Sequence, residues 1–375
     1  MSAGRYRESL PAAWYHDPGH FRRELDGIWK RQWLCVGRQE DWAEAGDFRK
    51  LTLDNDQVLV TRADDGCLRA FFNSCRHRGS VLCEAESGRF RNGRIVCPYH
   101  AWTYSLDGAL LRAPHATAAD SLRPEDFALH EAALECWRGF VFVNLADPPA
   151  ASLAEVLADE ASGVANWPLE DLRRVHRVRH RLGCNWKVFW ENYLECYHCP
   201  AVHPDLCRLV PAYRTGRLDA AAADPRAGPP AMLRSGAVTW SADGATRLPW
   251  FDGLDAAEQL RGMTFADFVP TLFLVAHVDY VRSVRVFPLG PEATELTVEW
   301  FVHRGVLGHP DLDVPALVAF GDNLVQEDAR VCELNQQGLR CSRHEHGVLL
   351  ELEHQVLEFD QWVRQALSGT VEASA

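Results

Sequence analysis

Two thiols and two imidazoles fall close together in this chain: Cys75-Arg76-His77, then 19 residues later Cys97-Pro98-Tyr99-His100. Each half offers one cysteine and one histidine. Two such halves on neighbouring hairpin loops place two sulfur ligands on one iron and two nitrogen ligands on the other, the mixed ligand set of a two-iron two-sulfur centre. Exchanging two thiolates for neutral imidazoles makes the centre less electron-rich and raises its potential above that of an all-cysteine cluster, so that it accepts electrons from ferredoxin-like donors. A structural zinc tetrahedron also takes two cysteines and two histidines. Zinc fingers, however, usually pair the two cysteines in one half and the two histidines in the other, and here each half mixes them.

A second constellation lies in NWKVFWENYLECYHCPAVHPDL, residues 185–206. A helix from about Asn185 to Cys199 sets Glu195 and His198 three residues apart on one face. His203 lies five residues further on, and Pro200 disfavours continuation of the helix, so the chain can bend and bring His203 back to His198. Two histidines and one carboxylate on one face are the ligands of oxygen-activating iron, with the remaining positions open. The carboxylate must come from elsewhere. A helical pattern from Asp313 to Gly338 offers Asp322, Glu327, Asp328 and Glu333, and periodicity leaves the choice among them open. A lone histidine is more often a core or surface residue than a ligand; its occurrence with a cluster motif in the same chain reverses that reading. Asn192, one turn before Glu195, reads equally as a helix-surface amide or as a support for substrate or iron hydration.

The elements that must position these residues follow from the texture of the sequence. A length of 375 residues suits two domains. Residues 1–32 form an N-terminal helical segment, with Phe21, Leu25, Ile28 and Trp29 on one apolar face, expected to pack on the later domain. Residues 33–148 read as all-β, with short strands separated by turn signals at Asp65-Gly66, Asn92-Gly93 and Asp107-Gly108. Asp147-Pro148-Pro149 closes that segment. Residues 149–375 alternate in type: a helix near 151–163, a strand near 174–183, the helix from Asn185, three β-like runs over 269–302, and helices from Asp313 to Gly338 and from about Gly347 to Leu367. The stretch 212–236, rich in Ala, Gly, Pro and Arg, reads as a long surface loop over a site. The fold class is α+β, the second domain an antiparallel sheet flanked by helices.

Composition narrows the function classes. A formal net charge of −13 opposes nucleic acid as a partner, since phosphate binding relies on clustered Lys and Arg. No apolar stretch approaches the roughly 20 residues that span a bilayer, and the N-terminus shows no secretory pattern, so a cytoplasmic protein with reduced thiols and no membrane partner is expected. Of the 12 cysteines, Cys35, Cys67, Cys136, Cys184, Cys207 and Cys341 have no histidine at ligand spacing and read as buried structural residues.

CRHRGS followed by CPYHAWTYSLDG resembles the cluster-binding sequence of Rieske non-haem iron aromatic-ring hydroxylases. NWKVFWENYLECYHCPAVHP is similar to the iron-binding helix of the same family, and QEDARVCELNQQGL resembles the stretch that supplies its third ligand. The resemblance implies an oxygenase (alpha) subunit: a Rieske domain over 33–148, with a [2Fe-2S] cluster on Cys75, His77, Cys97 and His100, and a helix-grip (START-like) catalytic domain over 149–375, with mononuclear Fe(II) on His198, His203 and Asp328. It gives Glu195 a bridging role between His198 and the cluster ligand His100 of a neighbouring subunit, and thereby implies a ring, commonly a homotrimer. A separate NAD(P)H-dependent reductase of flavin or ferredoxin type is implied as electron donor, since no dinucleotide-binding glycine fingerprint joined to a βαβ unit is present.

Glutamate in an E-C-Y-H context, where ring-hydroxylating members usually carry aspartate, resembles the branch that oxidises quaternary ammonium compounds such as carnitine and glycine betaine. Hydroxylation or oxidative N-demethylation of a small betaine with O2 is one expectation; hydroxylation or O-demethylation of an aromatic acid is the other. Tryptophans including Trp190, Trp240 and Trp250 are candidates for a cation–π cage. From a different class, a non-catalytic Rieske electron carrier or redox sensor would use only the first domain and leave the second ligand set without a role.

Overall fold

Turn residues and alternating apolar positions dominate the first half of the chain, and strands result. The computed structural model describes residues 7–216 and 232–368 and divides into two compact units, Trp29–Val156 and Met1–Ile28 with Leu157–Ala375. The division falls at Ile28 rather than at residue 32, and at Val156 rather than at residue 148. Among the described residues no helix is long and apolar enough to cross a membrane. Among the described residues all strand pairs are antiparallel.

The N-terminal segment is not purely helical. It opens with strand β1 (Arg7–Pro11), passes through a 3-10 turn and enters α1 (Pro18–Glu24), capped by Asp17, whose carboxylate accepts from the His20 N–H at 2.6 Å.

In the unit Trp29–Val156, strands β2 (Leu34–Arg38), β3 (Asp47–Leu53), β4 (Asp56–Arg62), β5 (Leu68–Phe72), β6 (Ser87–Arg89), β7 (Arg94–Val96), β8 (Thr103–Ser105), β9 (Leu110–Arg112), β10 (Glu131–Trp137) and β11 (Phe140–Asn144) build two sheets. The larger has the order β2-β11-β10-β5-β4-β3-β6 and the smaller β7-β8-β9. Asp65-Gly66 turns β4 into β5 and Asp107-Gly108 turns β8 into β9. Gly108 has φ +87°, and a Cβ there would meet the Phe71 ring at 2.5 Å, so only glycine fits. Asn92-Gly93 does not close a hairpin. Both residues have positive φ, but the turn hands the chain from the larger sheet (β6) to the smaller (β7). Phe48, Leu59, Phe71, Ile95, Trp102, Tyr104 and Leu110 form one apolar cluster that includes Cys75 and Cys97.

The rest of the chain adds α2 (Leu153–Gly163), β12 (Leu172–Leu182), α3 (Trp186–Tyr193), α4 (Cys199–Val202), α5 (Pro204–Leu209), α6 (Ala256–Arg261), β13 (Met263–Phe268), β14 (Leu272–His277), β15 (Tyr280–Gly290), β16 (Ala293–His303), α7 (Val314–Leu339), β17 (His346–Leu349) and α8 (His354–Ser368). The five-stranded sheet runs β12-β16-β15-β14-β13, and β1 pairs with β17 in a separate ribbon. Two differences from the sequence reading matter. The helix from Asn185 ends at Tyr193 and not at Cys199, and a strand precedes the last helix, which starts at His354 rather than near Gly347. Of the expected loop 212–236, residues 217–231 lie outside the described residues; Pro211–Thr215 is a 3-10 turn that buries Tyr213.

Helix α3 is fixed at its start by Asn185, whose side chain accepts from the Lys187 N–H at 3.0 Å. Lys187, fully buried, reaches back to Glu24 of α1, to the Asn185 amide oxygen at 2.8 Å and to the Trp14 carbonyl at 3.0 Å. Helix α7 is capped by Asp313, which accepts from the Ala316 N–H at 3.1 Å. It is joined to the sheet by the pair His180 Nε2–Asp322 Oδ1 at 2.9 Å and to the α3 start by the Asn185 N–H donating to Gln336 at 2.8 Å.

Two candidate metal centres

In the first unit the four cluster candidates sit on two parallel loops. The Gly79 N–H returns to the Cys75 carbonyl at 2.9 Å and the Ala101 N–H to the Cys97 carbonyl at 3.1 Å, so each loop is pinned at its cysteine. Cys75 and Cys97 are buried at 3% and 2% exposure, whereas His77 and His100 face solvent. The imidazole rings are 4.7 Å apart at 70°, and His77 stacks on Trp102 at 4.9 Å. Burial pushes the Cys75 thiol up while the Tyr104 hydroxyl, 3.3 Å from its sulfur, pulls it down. Two thiols inside and two imidazoles outside, on loops facing each other, fit a cluster whose irons take sulfur on one side and nitrogen on the other.

The second centre lies wholly in the unit that holds α3 and α7. His198 Nε2, His203 Nε2 and Asp328 Oδ1 converge, with separations of 3.2 Å, 2.8 Å and 3.4 Å, and form a group able to hold one metal ion. Of the four acidic candidates on α7, only Asp328 points at both imidazoles. Asp322 pairs with His180, and Glu333 accepts from the Gly183 N–H at 2.8 Å. Glu327 has a role that periodicity does not reveal: its Oε2 lies 2.7 Å from His203 Nδ1, and its other oxygen accepts from the Asn323 amide at 2.8 Å.

Glu195 and His198 do not share a helical face, because α3 has already ended. The Glu195 carboxylate accepts from the His198 N–H at 3.1 Å and lies 2.6 Å from His198 Nδ1. A side chain that captures the backbone three residues on offers an alternative to the helical ladder, and the residues between Tyr193 and α4 are non-helical. Pro200 sits in the first turn of the short α4, which opens at Cys199 and whose end delivers His203. Asn192 Nδ2 is 3.3 Å from His198 Nδ1, and its Oδ1 is buried without a partner.

Both imidazoles are electrostatically held. Burial lowers the basicity of His198, but the hydrogen bonds to Asp328 and Glu195 outweigh it and push its pKa up to about 9. His203 is raised in the same way by Asp328 and Glu327, and the two imidazoles hold Asp328 low against its burial. Three donor atoms on one point, two of them on imidazoles whose opposite nitrogens meet carboxylates, fit a metal with oriented ligands.

A cavity of about 460 Å³ opens over these ligands. Its wall includes Tyr193, Tyr213, Trp240, Phe265, Asp267 and Arg282. Tyr193 donates to Asp267 at 2.7 Å, and burial raises the Asp267 carboxyl to about 7. Of the three candidate tryptophans only Trp240 lines the cavity; Trp190 is fully buried and donates to the Pro270 carbonyl at 2.8 Å, and Trp250 is 37% exposed. Cys196 and Cys199 also line it, their Cα atoms 5.0 Å apart and within bridging reach.

Comparison with known proteins identifies both units. Residues 32–131 match the Rieske [2Fe-2S] domain and residues 169–369 the ring hydroxylating alpha subunit (catalytic domain). The glycine betaine monooxygenase oxygenase subunit of Chromohalobacter salexigens is 30% identical, over 98% of this chain and 87% of that protein. Chloroplastic choline monooxygenase of Beta vulgaris is 28% identical over 95% of this chain and 76% of its own, and the carnitine monooxygenase oxygenase subunit of Escherichia coli is 36% identical over 52% of each. The fold matches that of the quaternary ammonium Rieske monooxygenase CntA in complex with L-carnitine, with a TM-score of 0.71 at 23% identity over 96% of both chains. Naphthalene 1,2-dioxygenase from Rhodococcus sp. gives 0.72 at 22% identity over 96% and 94%. The chain belongs to the ring-hydroxylating alpha-subunit family of Rieske non-haem iron oxygenases. It is the oxygenase component, and its cofactors are a Rieske [2Fe-2S] cluster and a mononuclear iron.

Proposed function

We propose that this oxygenase oxidises a small quaternary ammonium compound, with the cluster on Cys75, His77, Cys97 and His100 and the iron on His198, His203 and Asp328. The observation that carries the substrate class is the cavity wall over the three iron-ligand candidates: the aromatic faces of Tyr193, Tyr213, Trp240 and Phe265. Aromatic faces attract a trimethylammonium group, each contact being worth roughly 0.5–2 kcal/mol, and need no hydrogen-bond donor from it. The relatives named for glycine betaine, choline and carnitine favour the same class.

Bound iron would supply dioxygen activation, the chemistry that no side chain provides. The chain's own residues position and time it. Glu195 takes the Nδ1 side of His198 and Glu327 that of His203, which leaves both Nε2 atoms aimed at the metal. The aromatic faces of the wall shield the reacting carbon from water. Hydroxylation of an N-methyl group puts one oxygen of O2 into an N–CH2OH group and releases the other as water, consuming two electrons and two protons. The N–CH2OH group then breaks its C–N bond and leaves as formaldehyde with loss of a proton, the nitrogen keeping the bond's electron pair.

The electrons come from a separate NAD(P)H-dependent reductase. In this reading Glu195 links His198 to His100 of the partner subunit in a homotrimer; the solvent-facing His100 and the carboxylate hydrogen-bonded to His198 support it. Oxygen uptake with a surrogate reductase tests the function across glycine betaine, carnitine, choline and aromatic acids. Uptake matched by formaldehyde or another C–N cleavage product from a quaternary ammonium compound is expected. Coupled uptake with aromatic acids alone would overturn the reading.

A further inference from the structure

Arg282 stands in the middle of a buried strand. It lies on β15, opposite Val275 of β14 and Trp300 of β16, and only 6% of it is exposed, yet it reaches the wall of the cavity over the iron ligands. Its place is built into the fold. One guanidinium nitrogen donates to the Gly321 carbonyl of α7 at 2.8 Å, and a Cβ at position 321 would come within 2.9 Å of that nitrogen, so a glycine in the middle of the helix makes room for it. Its Cζ lies 5.9 Å from the centre of the Trp240 ring.

What the guanidinium lacks is an anion. Among the described residues no carboxylate forms an ion pair with Arg282, and its Nε is buried without an acceptor. The Trp240 indole N–H, on a second residue of the same wall, is also buried without an acceptor. Asp328 and Asp322 act on Arg282 only from a distance: Asp322 is paired with His180, and in the holoenzyme the charge of Asp328 belongs to the metal. An unpaired buried cation is costly to a folded protein, and five donors in a planar fork match a carboxylate better than any neutral group. The same wall carries aromatic faces that take a cationic group, so the cavity offers recognition for both ends of a zwitterion.

We propose that Arg282, with the indole N–H of Trp240, is the anion anchor of this cavity, and that the compound oxidised here carries a carboxylate as well as its cationic group. This deepens the proposed function: a zwitterionic betaine fits, and an amino alcohol such as choline leaves Arg282 unmatched.

Anaerobic titration calorimetry on the iron-loaded holoenzyme tests it with matched probes: glycine betaine against its methyl ester, and benzoate against benzamide. The wild-type chain is expected to bind glycine betaine about ten- to a hundredfold more tightly than the ester, the range of one charge-assisted hydrogen-bond pair. Arg282→Gln should erase that preference while leaving the Kd of the ester and the iron content unchanged, and Arg282→Lys should keep part of it. Equal weakening of acid and ester in Arg282→Gln, or no preference in the wild type, would overturn the anchor, and turnover of choline would then leave the quaternary ammonium reading standing. If neither betaine nor ester binds but benzoate exceeds benzamide in an Arg282-dependent way, the anchor stands and the quaternary ammonium reading falls.

Discussion

Glu327 Oε2 lies 2.7 Å from His203 Nδ1, on the edge of the ring away from Asp328, just as Glu195 Oε1 lies 2.6 Å from His198 Nδ1. Each imidazole of the proposed iron site is thus held between two carboxylates. Because such outer partners fix the tautomer and raise ligand basicity, Glu327→Ala should weaken iron retention about 10–100-fold and leave the cluster intact. Metal analysis after graded chelation, with the cluster absorbance as internal control, reads both.

Glu195 is expected to matter for electron delivery as well as for orientation. Glu195→Gln keeps an oxygen near His198 Nδ1 but removes the charge, so iron should remain bound while turnover falls strongly. Single-turnover kinetics of the pre-reduced enzyme separate the two: slow cluster re-oxidation with full iron occupancy is the predicted result, and wild-type re-oxidation would reject the bridging role.

Much of the proposed site is legible in residue types alone, because residues able to ligate a metal are few and their spacing is constrained. Cys75, His77, Cys97 and His100 needed only two loops, and those loops are local. His198 and His203 were equally accessible, but for a partly mistaken reason: helical periodicity extended α3 through Glu195, whereas the Glu195 side chain captures the His198 N–H and the helix stops at Tyr193. Glu327 and Arg282 were out of reach, since their roles come from packing between elements distant in the chain. The one local sign was two charges, Arg282 and Arg285, within YVRSVRVF, a strand otherwise apolar enough to be buried on both faces, and nothing local singles out Arg282 of the two. The pairing of β1 with β17 was equally hidden, because two short strands at opposite ends of the chain leave no periodic signature.

Lys187 and Glu24 are both fully buried and paired with each other. Removing one member strands the other charge in the interior, so Lys187→Met should destabilise the chain by about 3–5 kcal/mol. Denaturant unfolding of Lys187→Met beside Lys187→Met/Glu24→Gln checks the cause, since the double variant removes the stranded charge and should recover part of the loss.

Asp267 predicts a pH dependence of stability. Its carboxyl is raised by burial from 3.8 to about 7 in the folded chain, so between those values the folded state binds the extra proton. Its contribution to stability is therefore most favourable below about pH 4, falls as pH rises through 7, and reaches a penalty of at most about 4 kcal/mol above that. Asp267→Asn, which can still accept from Tyr193, should gain more over the wild type at pH 8 than at pH 5. An equal gain at both would contradict the assignment.

The central claim is that two unlike iron centres share this chain, one on Cys75, His77, Cys97 and His100 and the other on His198, His203 and Asp328. Iron and acid-labile sulfide, counted per chain in anaerobically purified wild type and in His203→Ala, test it most directly. About three irons and two sulfides in the wild type, with one iron and no sulfide lost in the variant, is the predicted result. Two irons in both proteins, or zinc in the place of iron, would contradict it.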